Sequence, residues 1–186
     1  MNDFPTTDAS GGPTTDAAGD PTTDAAGGFP LALSEAAELP VDKIGVVIVD
    51  HGSRRRESNA LLDEVVSLFR SVTGLANVQV AHMELASPSI ADAFDAAVSR
   101  GAELVVVFPY FLSPGRHWSQ DIPALAGEAA ANHPGVRHLV TAPLGLHAAI
   151  MGVIQDRITQ CLDHARGGDD CSLCSDGGAC QMNGAC

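Results

Sequence analysis

The 186-residue chain carries 23 acidic and 10 basic residues, a net charge of −13, and 45% apolar residues. That is apolar content for one ordinary core, and it is too acidic for unspecific nucleic-acid binding, which sets clustered Lys and Arg against phosphates. No run approaches the roughly 20 apolar residues that span a bilayer, and no basic stretch leads into an apolar one near the N-terminus. Neither nucleic acid nor membrane is an expected partner, and a cytoplasmic location is expected.

The charge is uneven: −7 over residues 1–43, −4 over 44–165 and −2 over 166–186. Residues 5–28 are three copies of an eight-residue unit, PTTDASGG, PTTDAAGD and PTTDAAGG. Lacking large apolar side chains, such a repeat does not recover the entropy lost on ordering, and disorder is expected. Residues 29–43 read as a linker with a short helical turn, so 1–43 forms one low-complexity segment.

From Ile44 strands and helices alternate. Ile44–Val49 is a β-branched run suited to a strand buried on both faces, and 58–72 places Leu61, Leu62, Val65, Phe69 and Val72 on one helical face. Val78–Leu85 reads as a second strand. Ser87 then serves as N-cap with Pro88 at the first helical position, opening a helix to about Arg100. Leu104–Phe108 is a third strand, 122–132 a helix, Val136–Thr141 a fourth strand and 147–164 a final helix that carries Cys161 toward the core. This alternation predicts an α/β fold, a four-stranded parallel sheet with helices on both faces and right-handed crossovers, over residues 44–165.

Ligands of open parallel sheets bind beyond the carboxyl ends of the strands, where strand order reverses. With the order second, first, third, fourth, His51 after the first strand and His117 after the third flank that point, and Glu84 closes the second strand. Two imidazoles and a carboxylate there could bind a borderline divalent cation, Co²⁺, Ni²⁺ or Fe²⁺, or could remove protons from a substrate nitrogen. The plainer alternatives are a turn histidine and a structural polar pair of Glu84 with His82. His82 reads as structural, and His133, His138, His147 and His164 as solvated.

Gly52 and Ser53 offer backbone N–H groups on which an anion could rest. Arg54, Arg55, Arg56 and Arg116 add planar forks suited to carboxylates, or a solvated basic turn. No G-x-x-x-x-G-K-[ST] occurs, and the single lysine, Lys43, precedes the domain, so an ATP-driven P-loop mechanism is excluded. No G-x-G-x-x-G follows a strand either. Cys171, Cys174, Cys180 and Cys186 form C-x2-C-x5-C-x5-C in a Cys-rich tail, residues 166–186. Four thiolates there could hold Zn²⁺ or an iron–sulfur cluster, or form a flexible thiol tail.

In combination and order, VVIVDHGSRRRESN, AHMELASPSIADAF and VVVFPYFLSPGRHWSQDIP resemble the CbiX/SirB family of small class II chelatases, over roughly residues 44–164. The resemblance implies a flavodoxin-like chelatase unit that inserts cobalt or iron into sirohydrochlorin in siroheme or cobalamin biosynthesis, a lyase working without ATP. It implies metal binding and proton removal at His51 and His117, with Glu84 as a nearby acid. The basic residues, with Ser53, would then meet the carboxylates of the macrocycle. Asp50 departs from the family's usual glycine before the histidine. A homodimer is implied because single-unit members pair to imitate two-domain chelatases, and the C-terminal extension of some plant relatives raises the cluster option for the tail. The alternative from another class is a metal-delivery or tetrapyrrole-binding protein that does not turn over.

Overall fold

The structure is a computed structural model that describes residues 25–167. The repeat before Ala25 and the four tail cysteines lie outside the described residues. Ile44–Asp50 forms β1, Val78–His82 β2, Leu104–Pro109 β3 and Arg137–Val140 β4. All pair in parallel in the order β2-β1-β3-β4, the α/β architecture and strand order expected. β1 sits centrally with Ile44 to Val49 buried, so its unbroken apolar run is covered from both sides.

Helices α2 (Arg56–Thr73), α3 (Ile90–Ser99) and α4 (Ile122–Ala131) connect the strands. On one face Val47, Val49, Phe94, Val105, Val107 and Ile122 build the larger core under α3 and α4. On the other, Val46, Ile48, Leu62, Val66 and Val78 form a smaller one under α2. Gly45 permits the close approach of β1 to α3: a Cβ there would stand 2.8 Å from that of Ala97.

Several local expectations change. The segment read as a linker with one helical turn contains a 13-residue helix, α1 (Ala25–Ala37), which begins inside the last repeat copy. Tertiary packing overrides Pro30 and the glycines: Phe29 meets Phe69 of α2 edge to face at 5.8 Å, and Leu33 packs against the smaller core. β2 ends at His82, so Glu84 lies in the following turn. Cys161 is not core, because no residue of α5 (Ala148–Ala165) is buried. His133 is held rather than solvated, 2.6 Å from Asp95 and stacked on Phe94, whereas His147 caps α5.

The last change concerns a cap. The N-cap of α3 is Ser89, not Ser87, because the chain still runs along β2 through residue 88, where Pro88 O accepts from His82 N at 2.8 Å. Ser89 and Asp92 then close a reciprocal capping box. The Ser89 backbone N–H first, and its hydroxyl second, hold the Asp92 carboxyl below its ordinary value of 3.8. A lowered folded value contributes stability above the unfolded pKa and loses it as pH falls through the folded one. Asp92→Asn is therefore expected to lower the melting temperature slightly at pH 7, with the difference vanishing in acid; a thermal scan across pH checks it.

Candidate active site

Three segments leave the carboxyl ends of β1, β2 and β3 and meet. After β1 the chain turns at Gly52, whose φ of +79° suits glycine and where a Cβ would press on His82 and the Leu85–Ala86 backbone. Asp50 fixes this turn: its Oδ1 accepts from Gly52 N at 2.8 Å and lies 2.5 Å from Nδ1 of His82, which is only 2% exposed. Asp50 is thus a double acceptor under the turn. His82 is structural, as expected, though its partner is Asp50 and not Glu84.

The turn presents His51 between two acceptors. Nδ1 lies 3.3 Å from Gly52 O, and Nε2 lies 3.6 Å from Oε2 of Glu84, longer than a good hydrogen bond and close enough for ion pairing. A ring that has taken up a proton has an acceptor on either side. Both side chains are about half exposed, open to a ligand arriving from solvent.

His117 arrives on a π-helical turn, His117–Asp121, in which Ile122 N bonds back to His117 O. Such wide turns concentrate at functional sites. Here it sets Asp121 Oδ2 2.8 Å from His117 Nδ1. A carboxylate only accepts, so Nδ1 carries the hydrogen and the Nε2 lone pair of the neutral ring is left for a proton or a metal. The Trp118 indole N–H donates to Thr141 O at 2.8 Å and ties the turn to the end of β4. Asp121 and Trp118 were missed in the sequence, where SPGRH reads as loop; the His-x3-Asp spacing is a signal only once a helical turn is assumed.

The His51 and His117 rings stand 5.3 Å apart, centroid to centroid, at 66°. Phe111 lies beside His117 at 6.5 Å. Among the described residues no three His, Cys, Asp or Glu side chains form a set able to hold a metal. The pair is therefore an open arrangement that needs donors from elsewhere.

The expected anion rest is not available. Gly52 N already donates to Asp50 and Ser53 N to Asn59 Oδ1 at 2.8 Å, while the Ser53 hydroxyl accepts from Arg55 N. Arg54, Arg55 and Arg56 are exposed. Arg56 borders a polar cleft of about 660 Å³ whose walls include Glu57, Asp63, His82 and Ser87, outside the His51–His117 gap. Arg116 lies 3.8 Å from the other oxygen of Asp121 and is largely exposed.

No helix among the described residues is long and apolar enough to cross a membrane. The CbiX family model matches residues 45–161. The sirohydrochlorin ferrochelatase, chloroplastic, of Arabidopsis thaliana is 51% identical over 142 residues, which are 76% of this chain and 63% of that protein. A sirohydrochlorin cobaltochelatase of Methanothermobacter thermautotrophicus is 30% identical, over 62% of this chain and 91% of that one. A CbiX protein structure from Marinobacter aquaeolei superposes with a TM-score of 0.58 at 27% identity, covering 65% of this chain and 98% of that one. SirB from Bacillus subtilis with Fe³⁺ shares the fold at a TM-score of 0.60 and 24% identity, over 63% of this chain and 47% of that one. The chain thus spans less than two thirds of the plant relative's length and, from the first strand through most of the last helix, belongs to the CbiX family.

Proposed function

We propose that this protein inserts a divalent metal into sirohydrochlorin, without ATP, and that iron is the metal, as in the name of the relative 51% identical to it. The observation that carries the reading is the facing pair of His51 and His117, each with a second group that organises its proton. Insertion of M²⁺ displaces two pyrrole protons. Histidine ordinarily titrates near neutrality, so these rings can take protons and also hold the incoming ion.

Asp121 keeps His117 Nε2 aimed as acceptor or ligand, and Glu84 faces His51 when that ring becomes cationic. Two imidazoles bind the ion loosely, and the macrocycle's own nitrogens complete its shell, which suits a metal that is substrate and not resident. An anaerobic assay offering sirohydrochlorin with Fe²⁺, Co²⁺ or Ni²⁺ tests this; tight tetrapyrrole binding without insertion of any of them would reassign the protein as a carrier.

Arg54, Arg55, Arg56 and Arg116 are proposed to meet substrate carboxylates through side chains alone, since the nearby backbone donors are engaged. Neutralising Arg54 to Arg56 together should raise KM for sirohydrochlorin about tenfold with a smaller change in kcat, as loss of uniform binding does. An unchanged KM would return them to the solvated turn.

Cys171, Cys174, Cys180 and Cys186 are proposed to hold an iron–sulfur cluster or Zn²⁺. Anaerobically purified full-length protein should contain iron with acid-labile sulfide, or zinc, that a chain ending at Arg166 lacks, while the shortened chain keeps insertion activity at saturating metal. Homodimer formation and the expected cytoplasmic location belong to the same proposal. The plant relative is named chloroplastic, and cell fractionation tests the location.

A further inference from the structure

Side chains alternate between the two faces of a strand. On β2 the alternation sends Val78 and Val80 into the smaller core under α2, and His82, two residues on, to the same face. On β1 it does the same with Val46, Ile48 and then Asp50, which pairs with His82 in register. The two polar residues therefore end the α2 side of the sheet next to each other. Beside them, the first turns of α2 and the connection from β2 to α3 enclose the polar cleft of about 660 Å³.

The Asp50 contact accounts for only one nitrogen of His82. A carboxylate only accepts, so Nδ1 carries the ring hydrogen and Nε2 is left with its lone pair. Nε2 meets no hydrogen-bond donor among the described residues, although the side chain is only 3% exposed. Among those residues Arg70 Nε is the one fully buried side-chain nitrogen or oxygen without a partner, so His82 Nε2 still touches open space. The space that His82 lines is the cleft. A carboxylate behind Nδ1 and a free Nε2 in front is the usual setting of a metal-binding histidine, and Asp121 holds His117 in the same way.

The walls of the cleft favour a cation. Glu57 and Asp63 border it, and neither has an ion-pair partner among the described residues. Arg56 is the single basic side chain there. An anion would face two carboxylates and a lone pair for one guanidinium in return.

We propose that this cleft binds a divalent transition-metal ion through His82 Nε2, with Glu57 and Asp63 acting through the ion's water. Imidazole selects borderline ions over Mg²⁺ and Ca²⁺. No three ligating side chains converge among the described residues, so the ion keeps most of its water shell and is held weakly. Weak holding suits an ion that moves on. His82 pairs with Asp50, the residue before His51, so the cleft stores metal one residue from the candidate active site. The storing role rests on the chelatase reading, whereas the binding does not.

Histidine-selective ¹⁵N NMR of the full-length protein, titrated with Zn²⁺ under reducing conditions, tests the binding. Ligation shifts the nitrogen that bonds the metal, and Zn²⁺ is diamagnetic, so ions taken up by the tail cysteines or by His51 and His117 do not mimic a shift of His82 Nε2. That nitrogen should shift saturably. Glu57→Gln with Asp63→Asn, both at exposed positions, should keep the fold and raise the apparent Kd at His82 about fivefold, as loss of two screened charges facing a dication does, with the His51 and His117 responses unchanged. A His82 nitrogen unmoved by excess Zn²⁺ would show a cleft that holds only water and would overturn the proposal. A shift insensitive to the double substitution would show that the acidic walls take no part, and would overturn the site as drawn. For the storing role, the double variant should insert Fe²⁺ into sirohydrochlorin more slowly than wild type when metal is scarce and equally fast at saturation. Equal rates at scarce metal would overturn that role, whereas a wild-type protein that inserts no metal would overturn the chelatase reading and leave the Zn²⁺ result standing.

Discussion

Replacing His51 or His117 with alanine is expected to cut metal insertion by about 100-fold or more while leaving the fold and sirohydrochlorin binding in place. The size follows from removing a positioned proton acceptor, which ordinarily contributes 10²–10⁴-fold. The selectivity follows from exposure: the two side chains are 42% and 45% exposed and support no core residue, so the stability change should stay within about 0.5 kcal/mol. Asp121→Asn should give an intermediate loss, because the amide still accepts from His117 Nδ1 without stabilising a positive ring. Insertion rates measured anaerobically, alongside thermal melts, check all three. Wild-type rates in both alanine variants would remove the chemistry from this gap.

The meeting of His51 and His117 was legible because it depends on long-range rules with few exceptions. Continuous Val and Ile runs mark buried parallel strands, and a chain order that doubles back places the ends of β1 and β3 side by side. What surrounds the histidines depends on hydrogen bonds a few residues long, and composition does not reveal these. Ser53 looked like part of an anion cradle, yet Asn59, six residues later and on the first turns of α2, takes both its backbone groups. Ser87-Pro88 has the composition of a helix start, but the reciprocal bonds of Ser89 and Asp92 begin α3 two residues later. The π-helical turn that aligns Asp121 with His117 follows a Ser-Pro-Gly stretch that reads as irregular chain. Helix α1 was hidden because its stabilising contacts, Phe29 on Phe69 among them, lie some forty residues away.

Asp50→Ala is expected to be the most damaging single change near the site for stability, and to weaken insertion while leaving both candidate histidines in the sequence. One carboxylate oxygen serves both Gly52 N and His82 Nδ1, and the His82 side chain is 3% exposed. Alanine leaves both without a partner, and an unmade buried hydrogen bond costs about 1–3 kcal/mol each, so a loss of roughly 2–5 kcal/mol is expected. For a domain of this size that is a fall of about 10 °C in melting temperature. Asp50→Asn should recover part of the loss, since its amide oxygen still accepts from Gly52 N. The catalytic consequence runs through the backbone: Gly52 holds φ +79° under that bond, and its carbonyl faces His51 Nδ1, so a freed turn lets the imidazole leave its alignment with His117. Kinetics on folded Asp50→Asn, at a temperature well below its melt, separate the two effects. A reduced kcat with an unchanged KM places Asp50 in the positioning of His51, whereas wild-type kinetics with a lowered melting temperature would confine it to stability.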